Sequence, residues 1–140
     1  MKTVVLDTNI LLDIFVFNDH RASELKQALL NQEIHAPASQ KTFEELADVI
    51  GRPIFNLNNT QQDQILKQWH SLASLVSDDT LASAPWSCED EDDQIFLDLA
   101  YKLKPAIIIS KDNALLKLSK KAAAEEILIT ADYQAFKLSS

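Results

Sequence analysis

The 140-residue sequence holds one glycine, one cysteine and three histidines, and each scarcity removes a class of chemistry. With Gly51 alone, neither GxxxxGK[ST] nor GxGxxG can be written, so the Gly-rich phosphate cradles of P-loop and dinucleotide-binding proteins are excluded. A lone Cys88 can form neither an internal disulfide nor a multi-cysteine zinc site, and is read as a buried packing thiol. The histidines, His20, His35 and His70, are scattered and form no HExxH-like pair. No apolar run reaches the roughly 18 to 20 residues of a membrane span. Met1-Lys2 leads into a strand-like run rather than a signal peptide, so a cytoplasmic location with no membrane association is expected.

Hydrophobic residues make up 46% and charged residues 24%, a composition that folds, and the length suits a single domain over residues 1–140. The formal charge of −8 is unevenly placed. Residues 1–98 carry a net −11 and residues 99–140 a net +3; Glu89 to Asp98 hold six acids, whereas Lys102 to Lys121 hold six lysines against one Asp.

Thr3-Val4-Val5-Leu6 reads as a strand ending at Asp7, and Ile10, Leu11, Ile14 and Phe15 recur at helical spacing after it. Helical spacing also predicts helices over about 20–31, 42–50, 60–76 and 91–104. Ser39 and Thr42-Phe43-Glu44-Glu45 offer capping signals, and Gly51-Arg52-Pro53 a stop. An extended piece is expected at 34–36 and strands at 106–109 and 127–130, with short helices over about 113–121 and 131–138. Short apolar strands separated by helices imply an α/β fold with a parallel sheet covered on both faces.

Ligands of such sheets sit beyond the carboxyl ends of the strands, where strand order reverses. Asp7 and Asp112 both follow strands, so they converge if those strands are neighbours. Carboxylates gathered without a cation repel one another, and such a site shares a proton or holds a metal. Oxygen ligands without His or Cys select Mg²⁺ or Mn²⁺ over zinc. Either residue is equally readable as the N-cap of its following helix. Glu45 flanks the apolar stripe of its helix. Asp93 shares a face with Leu97 and Ala100, Asp92 with Phe96 and Leu99, and spacing does not choose between them. Acids in a first turn also favour the helix dipole, with Asp90 as a cap.

Val4-Val5-Leu6-Asp7-Thr8-Asn9-Ile10-Leu11-Leu12-Asp13 resembles the opening of a PIN domain, and Glu45-Leu46-Ala47-Asp48-Val49-Ile50 its second motif. Cys88 to Leu97 and Ile108-Ile109-Ser110-Lys111-Asp112-Asn113-Ala114-Leu115-Leu116 are similar to its third and fourth, in the branch of VapC-type toxin components. The resemblance implies a three-layer α/β/α sandwich with a short parallel sheet. It implies Mg²⁺ or Mn²⁺ at Asp7, Glu45, Asp93 and Asp112, selecting Asp93 over Asp92, with Asn9, Asp90 and Ser110 orienting carboxylates. Lys111 stands where the fourth motif usually has Gly, and Asn113 and Ala114 replace its usual charged residues. Lys111 is readable as a contact to a phosphate or to the neighbouring carboxylates, or as an exposed lysine.

The activity implied is metal-dependent hydrolysis of RNA phosphodiesters, leaving 5′-phosphate and 3′-hydroxyl ends. Because the global charge opposes RNA, affinity is expected from the metal and from lysines such as Lys111, Lys117, Lys120 and Lys121. Toxin members further imply a homodimer and an antitoxin that covers the acidic cleft. Leu11-Leu12 and Phe15-Val16-Phe17 are an interface candidate or part of the core. The alternative is a non-catalytic PIN fold that binds nucleic acid or protein. A receiver or haloacid-dehalogenase type phosphotransfer protein also places Asp after strand one, but its DxD is absent, since the sequence there is Asp7-Thr8-Asn9.

Overall fold

Strand β1 (Lys2–Leu6) forms on the β-branched run at the start of the chain, in a computed structural model that describes residues 1–137. Around it lies a parallel sheet with the order β2-β1-β5-β6, where β2 is Ile34–His35, β5 is Ala106–Ile109 and β6 is Ile127–Thr130. Val4, Val5 and Leu6 pair with Ile107, Ile108 and Ile109, so the first strand lies beside β5 across a long crossover. Strand order reverses between these two strands, and both Asp7 and Asp112 lie past their carboxyl ends.

Side-chain alternation divides the interior. Val4, Leu6, Ile107 and Ile109 face one core with helices α1 (Thr8–Phe15), α2 (Ser23–Leu30), α3 (Gln40–Ile50) and α4 (Asn59–Leu72). Val5, Ile108, Ile127 and Ile129 face a second core with α5 (Gln94–Leu103), α6 (Asn113–Leu116) and α7 (Ser119–Ala123). The result is the expected α/β/α sandwich. Each fully buried Leu or Ile stabilises it by about 1.5–3 kcal/mol relative to exposure. Leu11 is buried, Leu12, Phe15 and Val16 pack partly against the first core, and Phe17 is exposed, so most of the candidate interface after strand one is interior.

Several boundaries differ from the sequence expectation, each for a hydrogen-bonding reason. Helix α4 ends at Leu72 rather than 76, because Ser74 and Val76 donate backbone N–H bonds to Ala36 and Ala38 at 2.7 and 2.8 Å. Those bonds build a two-stranded parallel sheet from β3 (Pro37–Ala38) and β4 (Ser74–Leu75). Helix α3 is capped through Ser39 and Thr42, whose side chains exchange bonds with each other's backbone N–H, and not through Thr42 and Glu45. The helix over 91–104 opens as a 3₁₀ turn, Glu91–Asp93, and the one over 113–121 is broken at Lys117–Leu118. Near the end of the chain only a 3₁₀ turn, Ala135–Lys137, is present; position 138 of the expected helix lies outside the described residues.

Candidate metal centre

Asp7 follows β1, donates its backbone N–H to the Ile109 carbonyl at 3.2 Å, and occupies the N-cap position of α1. Its side chain makes no capping bond; it accepts from the Ser110 hydroxyl and from Asn9 Nδ2, the latter at 3.3 Å. The capping reading therefore fails for Asp7. Asp112 does both jobs: its Oδ1 accepts the Ala114 N–H at 2.9 Å, and its carboxylate joins the site. Ser110 is fully buried between the two, since its Oγ also accepts the Asp112 N–H at 3.0 Å.

The third carboxylate comes from the acidic run. Asp90 caps the 3₁₀ turn by accepting the Asp92 N–H at 3.0 Å. That turn leaves Asp92 exposed and directs Asp93, only 4% exposed, inward. Asp7, Asp93 and Asp112 each offer an oxygen, and the three oxygens lie within 4.8 Å of one another. Glu45 stands outside this trio, half-buried on α3. Its carboxyl is pushed up to about 7 by burial and by the negative charges of Asp7 and Asp92, against hydrogen bonding from Thr8. Thr8, which follows the motif acid, carried no sequence signal for this contact.

Burial and crowding of like charges shift the carboxyls of the site. Burial, reinforced by the adjacent Asp112 and Asp7, raises the Asp93 carboxyl far above the carboxylate range. Burial also raises Asp7, while Asp112, bonded to Asp93 and capped by the Ala114 N–H, is lowered. The two carboxyls of the Asp93–Asp112 pair are thus pushed apart, Asp93 upward and Asp112 downward. Moreover, Asp93 Oδ2 is buried without a hydrogen-bond partner, an arrangement that costs about 1–3 kcal/mol unless relieved. Three hard oxygen donors, one of them orphaned, fit a Mg²⁺- or Mn²⁺-sized ion; the one cysteine, Cys88, is buried and packs its Sγ on the Ala114 carbonyl.

The lysines have partners of their own. Lys111 Nζ lies 2.6 Å from Asp13 Oδ2, and Lys117 is ion-paired with Glu89. An open cleft beside the trio is lined by Glu89, Asp90, Glu91, Asp92, Asp112 and Ala114. Asp13 is a third buried acid beside Asp7 and Asp93, 4% exposed, that the sequence did not single out; it also accepts from the Tyr133 hydroxyl at 2.5 Å. Its position three residues after Ile10 on the apolar side of α1 was the available signal.

The class defined here is a parallel α/β sandwich with three acids, Asp7, Asp93 and Asp112, gathered past the switch point of the sheet. The chain belongs to the PIN domain family, whose family model matches residues 3–114. Its fold is similar to a crystal structure of VapBC2 from Rickettsia felis bound to a DNA fragment from their promoter. That match has a TM-score of 0.57 at 14% identity, covering 91% of this chain and 98% of the other. Comparison with curated proteins gives no match. No helix among the described residues is long and apolar enough to cross a membrane.

Proposed function

We propose that the protein is a Mg²⁺- or Mn²⁺-dependent endoribonuclease, the toxin of a toxin–antitoxin pair. The observation that carries this reading is the convergence of Asp7, Asp93 and Asp112 with one buried oxygen left without a donor. Asp7, Asp93 and Asp112 hold the ion, and Glu45, at the margin, completes the set through water or on substrate binding. Bound there, the metal supplies Lewis-acid polarisation of the phosphodiester and a more acidic water. Ser110 and Asn9 keep the Asp7 carboxylate oriented, and Asp90 sets the turn that delivers Asp93. Fold likeness to a VapBC complex supports an antitoxin partner, and the acidic cleft suits an Arg or Lys from it. Homodimer formation belongs to the same reading.

A second reading, a PIN fold that binds nucleic acid or protein without cleaving, draws on impaired substrate handling: Lys111 and Ala114 depart from the fourth motif, and Lys111 and Lys117, the expected substrate contacts, are engaged by Asp13 and Glu89. Incubation of labelled RNA with and without Mn²⁺ separates the two. Cleavage that requires Mn²⁺ and is lost in Asp7→Asn and Asp93→Asn is the expected result. Cleavage surviving both substitutions would remove these acids from the mechanism, and binding without cleavage would establish the second reading.

A further inference from the structure

Lys111 lies between Ser110 and Asp112, the two residues of its loop that serve the site, yet its ammonium turns away to Asp13 on α1. The Asp13 carboxylate has a side-chain exposure of 5%, and one oxygen, Oδ2, receives both Lys111 Nζ at 2.6 Å and the Tyr133 hydroxyl at 2.5 Å. A buried carboxylate requires such partners, so this pair differs in kind from the exposed pairs elsewhere on the surface. The Lys111 backbone N–H also points to Asn9 Oδ1 at 3.5 Å, and Asn9 in turn donates to Asp7. Asp7 is at the N-cap position of α1, and Asp13 lies within the same short helix. Beyond the Ser110 hydroxyl on Asp7 and the Asp7 N–H on Ile109, the segment carrying Asp112 is thus tied to the segment carrying Asp7 at two further points, one through Asn9 and one through Asp13.

We propose that Asp13 and Lys111, braced by Tyr133, are positioning residues that hold Ser110 and Asp112 in register with Asp7, and thereby set the metal affinity of the site. This rests on the trio being a metal site. Lys111 is then a structural tie rather than a phosphate contact. Breaking the tie frees Asp112 to follow its own cap on α6, and the oxygen set loosens although every ligand remains.

The test is direct Mn²⁺ titration of the full chain by calorimetry, without RNA. Both Lys111→Met and Asp13→Asn are expected to weaken Mn²⁺ binding by about 10- to 100-fold, the range for residues that orient metal ligands. Lys111→Arg, which still reaches Asp13, restores most of the affinity, and the double variant is no weaker than the weaker single one. Tyr133→Phe, which leaves the loop and the charge pair intact, weakens binding in the same direction and serves if Asp13→Asn does not fold. Folded Lys111→Met and Tyr133→Phe that bind Mn²⁺ as the wild type does would overturn the inference alone. A wild-type protein that binds no Mn²⁺ would overturn the metal reading and this inference with it.

Discussion

Asp93 places a carboxyl oxygen where the fold supplies no donor, and its behaviour is governed by that fact. In metal-free protein the folded state keeps a proton on Asp93 that the unfolded chain releases near 3.8; Asp7 is shifted in the same direction, and Glu45 does likewise between 4.5 and about 7. Folding takes up protons through this window. The associated stability is full below the unfolded values and is lost as pH rises through the folded ones. Asp112 has the opposite sign, but acts only below its ordinary value of 3.8. Thermal denaturation of the metal-free protein should show Tm declining from about pH 5 to about pH 8, with Mn²⁺ restoring it most at the upper end. Asp93→Asn flattens this decline, because its amide can donate to Asp112, and it raises metal-free stability near neutral pH by about 1–3 kcal/mol while abolishing the response to Mn²⁺. A variant less stable than wild type without metal, or still stabilised by Mn²⁺, would contradict this account. Asp7 and Asp112 were legible as strand-end acids, whereas Asp93 against Asp92 was legible only through the family resemblance and not from helical spacing. That choice was made by a 3₁₀ turn capped by Asp90, which helical periodicity does not describe.

Helix ends show how a chain with one glycine manages its turns. Gly51 follows α3 with φ −77, a conformation open to any residue, so the glycine is not used for left-handed backbone. Positive φ falls instead on Asn18, Gln32, Asn56 and Glu126. After α2, Gln32 N–H bonds to Leu29 and Glu33 N–H to Ala28, at 3.1 and 2.9 Å, a Schellman closure with Gln32 at φ 56. Left-handed geometry costs a residue with a Cβ about 1–2 kcal/mol, partly offset by the lower unfolded-state entropy of a non-glycine. Gln32→Gly should therefore stabilise by about 0.5–1 kcal/mol, read as a higher urea midpoint at unchanged m. A lower midpoint would show that the Gln32 side chain contributes more than its backbone strain. The sheet strands and the long helices were legible from periodicity. The β3–β4 pair was not, because two-residue strands have no period, and their register depends on backbone bonds between residues some 37 positions apart.

Charge acts over the whole molecule. The net −8 repels a polyanion, and the lysine-rich stretch does not reverse this as simply as composition suggests, because its ammoniums are largely engaged: Lys104 with Glu125, Lys111 with Asp13 and Lys117 with Glu89. Among the described residues of this stretch, Lys102, Lys120 and Lys121 are exposed and take part in no ion pair within 4.0 Å, and Lys102 donates to the Thr80 carbonyl at 3.2 Å. Fluorescence anisotropy with an uncleavable RNA analogue and Mn²⁺ should give a shallow salt dependence, with a log–log slope of about −1 to −2, as expected for about two phosphate contacts. Lys120→Ala or Lys121→Ala should each reduce the slope by about 0.7. A slope steeper than about −4 would require a broader cationic footprint than this pairing leaves.

From the sequence by itself came the alternation of short apolar strands with helices, the acids at two strand ends, and the absence of any glycine cradle or cysteine metal site. All are local in the chain, set by spacing and residue type. Tertiary structure decided what depends on neighbours distant in sequence. It paired β1 with β5 so that Asp7 and Asp112 meet, turned Asp93 inward, kept Glu45 at the margin, and gave Lys111 a buried acid for a partner. Each of these follows from burial and low-dielectric pairing, which exist only once the helices close over the sheet.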